Sequence, residues 1–342
     1  MEEPGTPAGA IRLEFTGRAG EYFRIWIVNV FLTVITLGIY SAWAKVRRNR
    51  YLYSSVRLAG ATFEYLANPV QILKGRVIAV GLLAAYSAAG HVSDELQGAL
   101  TLVFVGFLPW LVIRARRFAL RNTAWRNIRF DFTSGYGEAA GIFILWPMLI
   151  GMSLGLMYPL YVWRRAKFMI ANSAFGSHAF SFEAGKGGFF LIYVKFVLLL
   201  TVVLIGGGMA VAAMLKGPAD PAIGMAVAAL LVTALALLAT LSYVHVAVTN
   251  RTWSGIEIGG MAIRCELKVA RMYWIALTSL AAIVLTFGLL VPWATIRMLR
   301  YRVEHLSLLN ADQLEALVGA QSAQIGAAGE EVSDLLGVDI AV

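Results

Sequence analysis

Disulfides, thiolate metal clusters and proline-rich architecture are all missing from this 342-residue chain, which has one cysteine, Cys265, and nine prolines. A single thiol has no partner to pair with, and nothing requires an oxidising compartment. Charge is scarce too. Only 14% of residues are charged and 59% are apolar, against about 25% and 45–50% in soluble domains, so a soluble globule is excluded. The four histidines, His91, His178, His245 and His305, are scattered, with no HExxH and no pair at ligand spacing. Walker A, GxSxG and strand-to-helix GxGxxG motifs are lacking as well. Metal, cofactor and catalytic residues are therefore expected to be none, and the chain is read as not an enzyme. The lack of a series of intramembrane carboxylates argues against a proton-driven pump.

What is there is long hydrophobic runs separated by short basic stretches, at a mean hydropathy of +0.71. This is the pattern of a polytopic helical membrane protein. Seven spans are expected near 23–43, 77–90, 99–113, 141–163, 189–215, 222–248 and 272–296. The second and third are shorter than the roughly 20 residues a crossing needs.

All 29 lysines and arginines lie at or before Arg302, where they face 13 acids, a net of +16; the remaining seven acids lie beyond. The chain thus reads as an integral membrane domain, 1–302, and an acidic cytoplasmic tail, 303–342. Within the tail an amphipathic helix is expected, capped by Asn310, with Leu314, Leu317 and Val318 on one face. A linker, SAQIGAAG, and a second acidic stretch, EEVSDLLGV, follow. A solvated tail is preferred over docking onto the protein's own loops. The N-terminal MEEPGTPAGAIRLEF lacks the marks of a signal peptide and is expected to be retained.

Four segments align without gaps: WAKVRRNRY from Trp43, WLVIRARRF from Trp110, LYVWRRAKF from Leu160 and WATIRMLRY from Trp293. Arginine stands four residues after the lead (Arg47, Arg114, Arg164, Arg297). A cation follows at seven (Arg50, Arg117, Lys167, Arg300) and an aromatic at eight (Tyr51, Phe118, Phe168, Tyr301). These positions share one side of a helix, so cations and an aromatic emerge together where an apolar run ends. Trp43, Trp110, Trp293, Tyr51 and Tyr301 read as interfacial anchors, and the eight cations as a hypothetical site for anionic headgroups. A glycine precedes each lead by four or five residues (Gly38, Gly106, Gly155, Gly288), and twelve residues after it come Ser55, Asn122, Asn172 and His305. Short apolar-polar alternations follow, as in Phe63-Glu64-Tyr65, Phe130-Asp131-Phe132 and Phe180-Ser181-Phe182, with Ile11–Phe15 at the front. A fifth, decayed copy is read by matching Asn250 and Trp253 to Asn122 and Trp125. The fold class expected is mainly α, with internal repeats and short strands in a small sheet at the membrane surface. Seven full crossings would separate the copies across the bilayer. A shared cytoplasmic side, with segments such as 141–163 broken or re-entrant, is preferred because only then can the strands form one sheet.

The run from Phe15 to Tyr65, with Glu21-Tyr22-Phe23-Arg24-Ile25-Trp26, Thr36-Leu37-Gly38-Ile39-Tyr40-Ser41-Ala42-Trp43-Ala44-Lys45 and the later Ile72-Leu73-Lys74-Gly75-Arg76, resembles the opening of the YjgN-like bacterial inner-membrane proteins, a domain of unknown function. The resemblance covers most of the chain. It implies a multi-pass inner-membrane protein and brings no catalytic residues. The leading functional expectation is a non-enzymatic protein organised around anionic lipid or another anionic amphiphile, with membrane lipids rather than nucleic acid as partners. A small-solute channel or transporter between the repeats, and a scaffold that recruits a soluble partner, are the alternatives.

Overall fold

The computed structural model describes residues 9–215 and 219–321, with side chains except at 219–222. The linker, the second acidic stretch and the first eight residues lie outside the described residues.

The chain opens with two short strands, β1 (Ile11–Arg12) and β2 (Glu14–Phe15), and a helical hairpin, α1 (Ala19–Ile35) and α2 (Ser41–Ser54). Strands β3 (Val56–Leu58) and β4 (Ala61–Tyr65) lead to α3 (Pro69–Val92) and α4 (Asp94–Arg121). Then come β5 (Thr123–Trp125), β6 (Ile128–Phe132) and a helix made of α5 (Tyr136–Ala140), a π-helical turn (Gly141–Leu145) and α6 (Trp146–Met152). Helix α7 (Tyr158–Ala171) returns to β7 (Ser173–Phe175), β8 (His178–Ala179) and β9 (Ser181–Phe182). Helices α8 (Lys186–Leu215) and α9 (Ala219–Trp253), strands β10 (Ile256–Ile258) and β11 (Met261–Cys265), helices α10 (Val269–Leu285) and α11 (Val291–Glu304), and β12 (Leu306–Leu309) complete the order.

The strands close into a ring. Every pairing is antiparallel, and β2 to β8 form one sheet in sequence order, while β9, β10, β11, β12 and β1 form the other. The two sheets are joined twice, because β1 and β2 are halves of one segment interrupted at Leu13, and β8 and β9 are halves of one interrupted at Phe180. Leu13 N still donates to Leu306 O at 3.0 Å, and Phe180 N to Ser173 O at 3.0 Å. The twelve short strands are thus ten chain segments of a closed barrel among the described residues, with no free edge.

Local chemistry sets this register. Two-residue turns join Leu58 to Ala61, Trp125 to Ile128, Phe175 to His178 and Ile258 to Met261. Three of these turns place both central residues at positive φ (Ala59 and Gly60, Arg126 and Asn127, Gly259 and Gly260), the twist that tight hairpins favour. A fifth turn would fall between β12 and β1. Instead the ends of the described chain meet there, with Ala311 N donating to Gly9 O at 2.9 Å.

The period-2 alternation turns apolar side chains inward. One core cluster joins Leu58, Phe63, Trp125, Ile128, Phe130, Phe175, Phe180, Ile258, Met261, Ile263, Leu308 and Ile11 around the ring. Arg12, Glu14, Arg57, Glu64, Arg129, Glu257 and Arg264 alternate with them on the exposed side. An apolar lumen inside a charged wall belongs in water, so the barrel stands outside the bilayer.

Every second connection between neighbouring strands is a helical hairpin that leaves the barrel and returns to it. Among the described residues four helices are long and apolar enough to cross a membrane: Pro69–Val92, Asp94–Arg121, Lys186–Leu215 and Ile223–Trp253. They form two long hairpins.

The expected spans at 23–43, 141–163 and 272–296 differ. Each is a bent hairpin whose return helix has 14 residues, a rise of about 21 Å against the roughly 30 Å of hydrocarbon to be crossed. The bend is the same in all three. Leu37, Leu154 and Phe287 sit at φ 50, each followed by a left-handed glycine (Gly38, Gly155, Gly288). Thr36, Ser153 and Thr286 accept the backbone N–H four residues on, from Tyr40, Met157 and Leu290. The tips Leu37, Leu154 and Phe287 are 94%, 94% and 98% exposed. Apolar tips on hairpins too short to cross are what a re-entrant element presents to hydrocarbon. All junctions between helix and barrel lie at one end of the strand ring, and of the seven expected spans four are helices long and apolar enough to cross while three are hairpins of shorter helices.

The boundary at 302 also moves. Strand β12 pairs with β1 and β11, so it is part of the barrel wall. Residues 313–321 are helical and lie across the barrel end away from the membrane helices, with Leu314 and Leu317 buried in the lumen cluster. Arg126 donates to both carboxylate oxygens of Glu315 at 2.8 and 2.9 Å, and Ser177 N and Oγ donate to Gln321 Oε1 at 3.1 and 2.8 Å. This first part of the expected solvated tail is a docked plug, because its apolar face covers the open lumen.

Candidate functional site

The repeated cations divide by role. At position four, Arg114 lies 5.3 Å from the Trp110 ring and Arg297 5.1 Å from the Trp293 ring. Lys167, at position seven, lies 5.6 Å from Trp163. Arg47, Arg50 and Arg164 are exposed. Two others at position seven are structural ties. Arg117 Nε donates to Phe132 O at 3.0 Å, and Arg300 Nη2 to Gly17 O at 2.8 Å, each fastening a helix to the end of the strand beside it.

The aromatic at position eight also makes structural contacts at Tyr51 and Tyr301. Tyr51 Oη accepts from Arg18 N at 2.7 Å and Tyr301 Oη from Lys268 N at 2.7 Å, each holding the residue that caps the first helix of its own hairpin. Tyr301 is buried. The residue at position twelve donates back to the carbonyl four residues before it in all four copies, from Ser55 at 2.6 Å, Asn122 at 2.7 Å, Asn172 at 3.0 Å and His305 at 2.7 Å.

The fifth copy has a different register. The residue before β10 is Gly255, so Trp253 ends α9 and does not match Trp125 in β5. Asn250 instead pairs with the backbone of Leu267, accepting from its N–H at 3.0 Å and donating to its carbonyl at 2.9 Å. It does the tying work that Arg117 and Arg300 do elsewhere.

Two concave sites result. The first is a groove of about 590 Å³ between α10 and α11, lined by Lys268, Arg271, Trp293, Arg297 and Arg300, with Glu304 as its one carboxylate. Arg297 also donates to Thr278 Oγ1 at 2.5 Å. Of the sequence-derived site residues, the groove gathers Trp293, Arg297, Arg300 and Tyr301; the other copies are spread around the ring.

The second is the barrel lumen, a cavity of about 700 Å³. Its wall is apolar, and its membrane-facing mouth is formed by the final turns of α2, α4, α7, α9 and α11. The two charged side chains that line it, Arg116 and Arg302, were not singled out in the sequence. They stand six and nine residues after their leads, on the helix side opposite the repeated cations. That side is otherwise largely apolar, which is the signal that marks them. Arg302 Nη2 contacts His245 Nε2. Burial lowers the Arg302 guanidinium from its ordinary value, with Cys265 nearby acting in the opposite sense.

A family model described as bacterial protein of unknown function (DUF898) matches residues 10–335. The chain belongs to this DUF898 family. Its curated relatives include the Inner membrane protein YjgN of Salmonella typhimurium, 28% identical over 151 residues, and those of Escherichia coli O157:H7 and K12, each 28% identical over 145 residues. The first match covers 44% of this chain and 37% of the relative, and the others 42% and 36%, so the chain aligns with little more than a third of these relatives' length. No solved structure matches. These relatives and the four long apolar helices make this DUF898 member an integral inner-membrane protein.

Proposed function

We propose that this protein is a non-enzymatic membrane component that gathers anionic lipid headgroups where its barrel meets the bilayer. Its partners are membrane lipids and not nucleic acid, and its barrel lies on the cytoplasmic side, where basic helix ends are retained. The observation that carries the reading is the groove between α10 and α11, where four cations surround one carboxylate beside the exits of two re-entrant helices. Guanidinium groups over indole rings suit this place: the ring seats at the interface and the cation reaches phosphate. We also ascribe the five strand–helix–helix–strand units to duplication, which sets basic helix exits around the ring.

The test uses full-length protein and vesicles with and without phosphatidylglycerol. Lys268→Gln, Arg271→Gln and Arg297→Gln leave the Arg300 tie in place and remove three cations. At about 1 kcal/mol per cation, the combined variant is expected to lose roughly 3 kcal/mol, about a hundredfold, of its preference for anionic vesicles at low salt. Unchanged preference in a variant with the wild-type unfolding profile contradicts the proposal.

A further inference from the structure

The lumen is a chamber separate from the headgroup groove, and its chemistry is different. We propose that it binds a single-chain anionic amphiphile, a long-chain fatty carboxylate, with the acyl chain in the barrel and the carboxylate between Arg116 and Arg302.

Two independent observations meet here. The cavity of about 700 Å³ has an almost wholly apolar wall, with Phe63, Phe130 and Phe180 among its lining, and lies within the roughly 300–1,000 Å³ usual for small-ligand sites. Among the described residues its only charged lining is the arginine pair, and the Nε of each arginine is buried with no hydrogen-bond partner. A buried guanidinium donor left unmade is costly, and a carboxylate satisfies it with a charge-assisted bond. Among the described residues no carboxylate lines the cavity, and a ligand carboxylate supplies the charge complement.

Geometry sets the direction of entry. The far end is shut by Leu314 and Leu317, and the ring of strands has no free edge, so the chamber is reached from the membrane-facing mouth where both arginines stand. A fatty acid moving out of the bilayer meets the cations as its chain enters the lumen.

The experiment uses the full chain, purified in detergent, with cis-parinaric acid and its methyl ester as fluorescent probes. The acid is expected to bind about tenfold or more tightly than the ester, and oleate to displace it. Arg116→Gln with Arg302→Gln brings acid and ester within about twofold. Equal binding of acid and ester by the wild-type protein overturns the proposal without reliance on any variant. So does displacement by dioleoyl phosphatidylglycerol as effective as that by oleate, which would make the occupant a two-chain lipid.

Discussion

Leu308→Asp is expected to abolish the folded barrel. Leu308 is buried on β12, opposite Ile11 of β1 on one side and Ile263 of β11 on the other. It is therefore where the two ends of the chain shut the ring. A carboxylate there stands opposite two isoleucines, away from the mouth where Arg116 and Arg302 lie, and its burial costs about 4 kcal/mol or more. That is a large share of the roughly 5–15 kcal/mol that holds a folded domain together. Loss of the monodisperse species on size exclusion, with Leu308→Ala still folded but less stable by about 2–4 kcal/mol, is the expected pair of results. An aspartate variant that unfolds at the wild-type temperature would mean that the lumen is not the core.

The second large effect is at the plug. Leu314 and Leu317 are buried against Trp125, Met261 and Leu308, and replacing both with alanine removes the apolar cover of the lumen. Each truncation costs about 2–4 kcal/mol, so unfolding moves down by on the order of 10 °C. A chemical readout separates an opened lumen from a merely weakened one. Cys265 lines the chamber, and burial pushes its thiol up to about 11, with the Leu267 N–H and Arg302 opposing. Because the thiolate is the nucleophile, wild-type Cys265 should alkylate slowly at pH 8, and the double variant about tenfold faster or more. Linkage gives a further sign. A thiol raised in the folded state keeps its contribution below its ordinary value and loses it as pH climbs toward about 11. Alkaline destabilisation should therefore begin in that window and be reduced in Cys265→Ala. Equal alkylation rates in the two proteins would show that the helix at 313–321 does not seal the barrel.

Much of the architecture was legible because its signals are local. The alternations Ile11–Phe15, Phe63–Tyr65 and Phe130–Phe132 announced strands, and the repeated run from Trp43, Trp110, Leu160 and Trp293 announced equivalent helix exits. Ring closure was not legible, because it rests on β1 meeting β12 from the other end of the chain. Hydropathy counts apolar residues but not bends. The re-entrant hairpins were therefore read as spans, although glycine five residues before the lead and a hydroxyl residue two before that (Thr36-Gly38, Ser153-Gly155, Thr286-Gly288) mark each bend. The second copy lacks this mark: Gly106 lies inside α4, which crosses. The plug was read as solvent-exposed for a similar reason, since its acidic character was visible but the open lumen that attracts its leucines was not.

The site divides in the same way. Repetition drew attention to residues that all copies share, and these are mostly the ones that build the scaffold: Arg117, Arg300, Tyr51 and Tyr301 hold backbone. Arg116 and Arg302 occur in one copy each, at positions that are not equivalent, so they are the residues a repeat would not have required.

The closed barrel is the claim on which the plug, the chamber and the shared side all depend. Arg12 and Ser307 face each other across β1 and β12, so in a Cys265→Ala background Arg12→Cys with Ser307→Cys should form a disulfide under mild oxidation. Mass spectrometry of the linked peptides should find it in most molecules, and little linkage for Arg12→Cys with Leu309→Cys. A failure of the first pair to link, or equal linkage of both, would contradict the barrel.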